Sequence, residues 1–220
     1  TIFFEYAYDT ARIAKGKGLF NTFVTNGYMT SEAVKTIAPY LDAATVDFKV
    51  SANPEAYKNF SSVFDVTSIF DCLLELKRNN IFIEVTNLLI PGIVDWERDL
   101  EKLCDWIVDN LGPEIPFHIL RFHPDYKLFS VSSTPTSMLK KAFELARNSG
   151  LKHIYLGNAP ELRCENTYCP NCNSLLIERY GFQVLAYNVT EDLRCPKCGY
   201  RVNFVGKFWP GGSWIYSILN

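Results

Sequence analysis

Long apolar runs are the first thing missing from this 220-residue sequence. None approaches the roughly 18 residues of a membrane-spanning helix, and no signal peptide opens the chain, so a cytoplasmic protein with no membrane partner is expected. An excess of charge of one sign is missing too. The 22 Lys and Arg against 24 Asp and Glu leave a net charge of −2, which argues against nucleic acid as a bulk electrostatic partner. Neither G-x-G-x-x-G nor G-x-x-x-x-G-K-[ST] occurs, and without them dinucleotide and P-loop readings lose their main support. There is no low-complexity tract and no repeat beyond a strand–helix alternation. An initiating methionine is absent as well. Thr1-Ile2-Phe3-Phe4 reads as a strand already under way, so the sequence is expected to be a piece of a longer protein.

What is present begins with cysteine. Cys169-Pro170-Asn171-Cys172 and Cys195-Pro196-Lys197-Cys198 are two Cys-x-x-Cys pairs separated by 22 residues. A tight turn after each first cysteine aims two thiolates at one point, and two such knuckles supply the four soft ligands of a closed tetrahedral site. Zinc is the expected metal; a rubredoxin-like iron site uses much the same knuckles, and unliganded thiols are the bland alternative. Cys164 adds a further option, because Cys164-x4-Cys169-x2-Cys172 with a later cysteine matches a plant-type iron–sulfur spacing. That option leaves Cys195 or Cys198 without a role. Cys72 and Cys104 fall inside helical apolar patterns and are expected to be core thiols. A chain with four of its seven cysteines spaced as metal ligands suits a reducing compartment better than a disulfide scaffold.

Hydropathy periodicity predicts helices over Glu5–Lys17, from a Thr30 N-cap toward Pro39, over Phe64–Asn79, Trp96–Leu111 and Ser137–Ser149. Strands are predicted at Asn21–Thr25, Ala43–Val50, Ile81–Ile90, Pro116–Phe122 and His153–Leu156. This alternation with short loops means a parallel sheet with crossover helices, either doubly wound or a full or partial barrel. One strand stands apart. In Thr45-Val46-Asp47-Phe48-Lys49-Val50, alternation puts Thr45, Asp47 and Lys49 on one face, whereas a covered sheet strand is normally apolar on both. Either Asp47 and Lys49 neutralise one another, or they border a polar cavity at the carboxyl end of the strands, where α/β sheets place their ligands. Thr25-Asn26 ends one neighbouring strand, Glu84 and Thr86 share a face of another, and Arg121 and His123 share a face of a third. Polar strand ends converging on one mouth favour a site.

Together these residues resemble the radical S-adenosylmethionine (SAM) superfamily, in its pyruvate-formate-lyase-activating-enzyme-like branch, and within that the radical SAM member of the AmmeMemoRadiSam group. The segments that carry the resemblance are Thr1–Tyr6, Val24-Thr25-Asn26-Gly27, Val46-Asp47-Phe48-Lys49, Leu88-Leu89-Ile90-Pro91-Gly92, and Gly157-Asn158-Ala159-Pro160-Glu161 through Cys172. The resemblance implies a partial (β/α) TIM-like barrel holding a [4Fe–4S] cluster. The cluster cleaves SAM to a 5′-deoxyadenosyl radical that abstracts hydrogen from a substrate, here a protein or peptide. It also implies that Asp47 and Lys49 contact SAM, with Thr25, Asn26, Thr86 and His123 near it. Thr86 stands where such enzymes often carry arginine. The family's Cys-x3-Cys-x2-Cys loop is absent from this chain, so the resemblance assigns no catalytic residue here and implies that the piece is inactive alone.

The expected organisation is therefore a partial barrel over residues 1–157 lacking its first strand and cluster loop, a zinc-ribbon or rubredoxin-like module over 158–203, and an aromatic tail over 204–220. Two other functions compete. A non-catalytic α/β scaffold could use its zinc ribbon, with Arg194, Lys197, Arg201 and Lys207, to bind a partner protein or nucleic acid. A conventional enzyme could use Asp47, Lys49 and His123 for acid–base work.

Overall fold

A computed structural model describes residues 3–181, 183–206 and 208. The chain divides into two compact units, Thr1–Asn158 and Ala159–Asn220. Trp209, Trp214 and Tyr216 of the expected aromatic tail, and Lys207, lie outside the described residues, as does the strand reading of Thr1-Ile2.

In the first unit five parallel strands lie in sequence order: β1 (Thr22–Thr25), β2 (Ala43–Lys49), β3 (Phe82–Leu89), β4 (Phe117–Arg121) and β5 (Ile154–Gly157). The helices are α1 (Phe4–Gly16), α2 (Ser31–Ile37), α3 (Pro54–Ser61), α4 (Thr67–Arg78), α5 (Trp96–Asn110) and α6 (Thr136–Asn148). Their buried stripes follow the helical period: Ile69, Cys72, Leu73 and Leu76 in α4, and Leu100, Leu103, Cys104 and Ile107 in α5. Burial alternates along β2 and β3, with Ala44, Val46, Phe48, Ile83, Val85, Asn87 and Leu89 inward. Phe48 meets Phe70 of α4 at 5.2 Å, and Phe70 meets Trp106 of α5 at 4.5 Å. That face of the sheet is the helix-covered one, and the core lies there. The opposite face of β2 and β3 is only half-buried.

Boundaries moved where local hydrogen bonding outweighed periodicity. Phe4, read as strand, opens α1. The helix predicted from Phe64 starts at Thr67, because Asp65 Oδ1 accepts the Thr67 backbone N–H at 3.0 Å. The Thr30 cap is as expected, its Oγ1 accepting from Ala33 N at 3.2 Å. Helix α3 was not predicted; Asn53 caps it through Ala56 N at 3.0 Å and Pro54 occupies its first turn. Strand β2 stops at Lys49 rather than Val50. There the chain turns through three successive left-handed residues, Val50 (φ 44°), Ser51 (53°) and Ala52 (59°), a conformation that costs roughly 1–2 kcal/mol for each non-glycine residue.

The second unit contains a three-stranded antiparallel sheet in the order β6 (Thr167–Tyr168), β7 (Leu175–Tyr180), β8 (Gln183–Tyr187). Its small core is Cys169, Leu176, Ile177, Val189, Cys195 and Val202. Among the described residues, no helix is long and apolar enough to cross a membrane.

Candidate functional site

On the half-buried face of the first unit, strand register aligns the polar side chains. Asp47 lies opposite Thr86 and Thr45 opposite Glu84 across β2–β3, Thr86 opposite His118 across β3–β4, and His118 opposite Tyr155 across β4–β5. Parallel neighbours in register point to the same side, so these residues form one polar surface. Thr86 Oγ1 donates to Asp47 Oδ1 at 2.5 Å, and Lys49 Nζ pairs with Asp47 Oδ2. The pair does neutralise itself, yet it is not enclosed: the Lys49 and Asp47 side chains remain 42% and 26% exposed. The two charges stay reachable, as a binding face requires.

A second polar group adjoins the first. His118 Nε2 lies 3.0 Å from Glu84 Oε2, and its ring stacks on Tyr155 at 4.8 Å. An imidazole oriented by a carboxylate and braced by an aromatic ring is a pre-set hydrogen-bonding and acid–base group. Sequence reading named Glu84 for its face but passed over His118. The available signal was period two: counting along Phe117-His118-Ile119-Leu120 puts His118 on the side opposite the apolar pair.

The remaining expected contacts sit elsewhere. Thr25 is buried at the end of β1, where its Oγ1 accepts from Gly27 N at 3.1 Å, and Asn26 Oδ1 accepts from Tyr28 N at 3.1 Å. Both side chains thus shape the turn after β1. Gly27 is required there: its φ is +73°, and a Cβ would fall 2.7 Å from Val46 Cγ1 and 2.8 Å from Ile69 Cγ2. His123 is exposed in the segment past β4. Arg121, expected beside it, instead donates through Nη2 to Thr136 Oγ1 of α6 at 3.0 Å. On β4, then, it is His118 and not Arg121 that shares the Asp47 face.

In the second unit the cysteines converge. The Sγ atoms of Cys169, Cys172, Cys195 and Cys198 lie within 4.8 Å of one another, with Cys169–Cys198 and Cys172–Cys195 each at 3.6 Å. Tetrahedral coordination with metal–sulfur bonds of about 2.3 Å puts sulfurs roughly 3.8 Å apart, so these four can hold one metal ion. Two knuckles of the same hydrogen bonding aim them. Cys169 N donates to Ser174 O and Asn173 N to Cys169 O; Cys195 N donates to Tyr200 O and Gly199 N to Cys195 O. The fifth residue of each knuckle is left-handed, Asn173 at φ 57° and Gly199 at 73°, which suits asparagine and glycine. The Ser174 hydroxyl 3.3 Å from Cys172 helps bring that thiol down to about 6, while burial pushes Cys169 up to about 12. Cys164 stands outside the cluster and donates to Leu162 O at 3.3 Å, so the plant-type spacing does not describe the observed grouping. Cys72 and Cys104 are core thiols, as expected.

Fold and sites together define an α/β scaffold with one open polar sheet face, joined in sequence to a four-cysteine module. No protein-family model matches the chain. Similar solved structures include a domain of pyruvate-formate lyase-activating enzyme from Bacteroides vulgatus (TM-score 0.61, 14% identity, 71% of this chain and 92% of that one). A radical SAM methyltransferase from Sphaerobacter thermophilus is also similar (TM-score 0.51, 11% identity, 72% of this chain and 46% of that one). At these identities the likeness shows the fold, the partial (β/α) barrel of radical SAM proteins. In sequence the chain is 42% identical over 206 residues to an uncharacterized protein of Methanocaldococcus jannaschii, covering 93% of this chain and 60% of that protein. The chain thus spans about three-fifths of the length of this relative.

Proposed function

We propose that this chain is part of a radical SAM enzyme of the pyruvate-formate-lyase-activating-enzyme-like branch, and that the open face of its sheet binds SAM. The observation that carries this is the Asp47–Lys49–Thr86 group: paired charges and a hydroxyl, half-exposed, on the carboxyl-terminal halves of two adjacent strands. A zwitterionic cosubstrate with a ribose needs such a set of charges, donors and acceptors. Asp47 and Lys49 would exchange their mutual pairing for the ligand's ammonium and carboxylate, and Thr86 would hold the Asp47 carboxylate in place. Thr25 and Asn26 would shape the turn beside the ligand, and His123 would approach it from the segment past β4. The Glu84–His118 pair, one strand further on, would meet the substrate, a protein or peptide, as a hydrogen-bonding group.

The chemistry such cofactors supply is hydrogen abstraction by a 5′-deoxyadenosyl radical. The residues present do not fit the iron–sulfur cluster that this requires. Cys72 and Cys104 are buried singly in α4 and α5, and four of the other five cysteines group as one mononuclear set. No step is therefore assigned to a cluster on this chain, whose part is to bind and orient. On this reading the cluster ligands would have to be supplied by the longer parent. The four-cysteine set is proposed to hold structural zinc, with iron as the other occupant of the same geometry. The AmmeMemoRadiSam group is the finer assignment that the sequence resemblance favours.

The test is anaerobic reconstitution of the full-length protein with iron and sulfide, reduction in the presence of SAM, and chromatographic measurement of 5′-deoxyadenosine. Formation is expected in the parent and not in Asp47→Ala. A parent that binds no cluster, or an Asp47→Ala variant that forms the product at the parental rate, would contradict the reading. A second reading, a binding scaffold, is favoured by one observation: the β7–β8 hairpin exposes Tyr180, Val184 and Leu185.

A further inference from the structure

The most unusual backbone in the first unit follows directly on the proposed SAM-binding pair. Val50, Ser51 and Ala52 are all left-handed, all buried, and none is glycine. Such conformations persist only where the surroundings over-determine them, and they gather at functional sites. Here the surroundings can be named. Strand β1 ends with Thr25 opposite Val46, so past that point β2 has no strand neighbour on that side among the described residues. The Tyr57 hydroxyl of α3 fills the gap, accepting the Lys49 backbone N–H at 2.8 Å. Two residues on, Ser51 N–H donates to Asn87 Oδ1 at 2.8 Å, and Asn87 Nδ2 donates to Ser51 Oγ at 3.1 Å. Asn87 is fully buried on the helix-covered face of β3, with hydrophobic Val85 and Leu89 two residues to either side. A buried amide among apolar residues is costly unless both its ends are used, and both of them go to this one turn. Asn53 extends the fixation, its Nδ2 donating to buried Asp99 of α5 at 2.7 Å.

We infer that Asn87 and Tyr57 are positioning residues for the Asp47–Lys49 pair: they lock the left-handed turn, so that the Lys49 ammonium is held at the mouth of the sheet where SAM would bind. Neither residue touches the ligand. Their part is pre-organisation: with the backbone on both sides of Val50 tied to buried side chains, binding need not order this segment, and affinity rises accordingly. The inference rests on the SAM-binding reading of the sheet face.

The experiment measures SAM affinity by calorimetric titration of the full-length protein and of Asn87→Ala, Tyr57→Phe and Asp47→Ala, with a melting curve for each. Tyr57→Phe removes one hydroxyl and keeps the packing, so it remains informative even if Asn87→Ala folds poorly. Asp47→Ala is expected to abolish binding. Tyr57→Phe and Asn87→Ala are expected to weaken it about tenfold, and Ala52→Gly, which lets the turn form without side-chain strain, to restore part of that loss in the Tyr57→Phe background. If Asp47→Ala abolishes binding while Tyr57→Phe and Asn87→Ala bind SAM as the parent does, with only their melting points lowered, the clamp serves stability alone and the inference is wrong. If Asp47→Ala binds undiminished, the underlying reading of the face fails, and that result is distinct.

Discussion

Residue by residue, the chain shows how few side chains fix the polar face. Gly27 combines a left-handed φ with methyl groups of Val46 and Ile69 too close for any Cβ. Gly27→Ala is therefore expected to destabilise the first unit by about 2–4 kcal/mol, read as a lower denaturant midpoint at unchanged slope. Burial also sets an alkaline limit. Desolvation raises the Tyr57 hydroxyl to about 12, the Cys72 thiol to about 11 and the Cys104 thiol to about 12. Each folded-state value lies above the unfolded one, so the folded chain holds protons that the unfolded chain has already released. The stability from these groups is complete below about pH 9 and is lost as pH rises through 9–12. Urea midpoints are expected to fall steeply in that window, and Cys104→Ala is expected to flatten the slope over its lower part. A midpoint independent of pH up to 11 would contradict the burial of these three groups.

At the scale of elements, the two knuckles that together carry four cysteines make the clearest unit. Metal analysis of the purified chain is expected to find about one zinc per molecule and little sulfide; abundant acid-labile sulfide would point to a different centre. Cys195→Ser is expected to release the metal and loosen β6–β8 while circular dichroism of the α/β unit persists; loss of all structure would show that the two units fold as one. The knuckles were legible because ligand spacing is local and sequence states it outright. The alternation along β2 and β3 was legible for the same reason, since period two places Asp47, Lys49, Glu84 and Thr86 without any knowledge of neighbours. His118 was missed because one histidine in a five-residue strand gains meaning only when register sets it beside Glu84. His123 was named for its place near a strand end; β4 stops at Arg121 and leaves it exposed two residues beyond. The turn at Val50–Ala52 could not be foreseen. Its left-handed residues have no propensity for that conformation, and it forms because Asn87, 36 positions away from Ser51, holds it.

For the molecule as a whole, the fold is that of the radical SAM barrels, and fold alone does not choose a reaction; one structural neighbour is an activating-enzyme domain and another a methyltransferase. What separates the competing functions is the character of the sheet face. The Asp–Lys pair is left 26% and 42% open, which a cosubstrate site requires and a structural scaffold tolerates. An acid–base enzyme would draw on the same polar groups; the structure leaves His123 exposed past β4 and sets His118 against Glu84. The central claim is therefore that this face binds SAM through Asp47 and Lys49. Equilibrium titration of the full-length protein with SAM, beside Asp47→Ala, tests it most directly. The account predicts saturable binding that the substitution abolishes; equal affinity in the two proteins, or no binding by the parent at millimolar SAM, would contradict it.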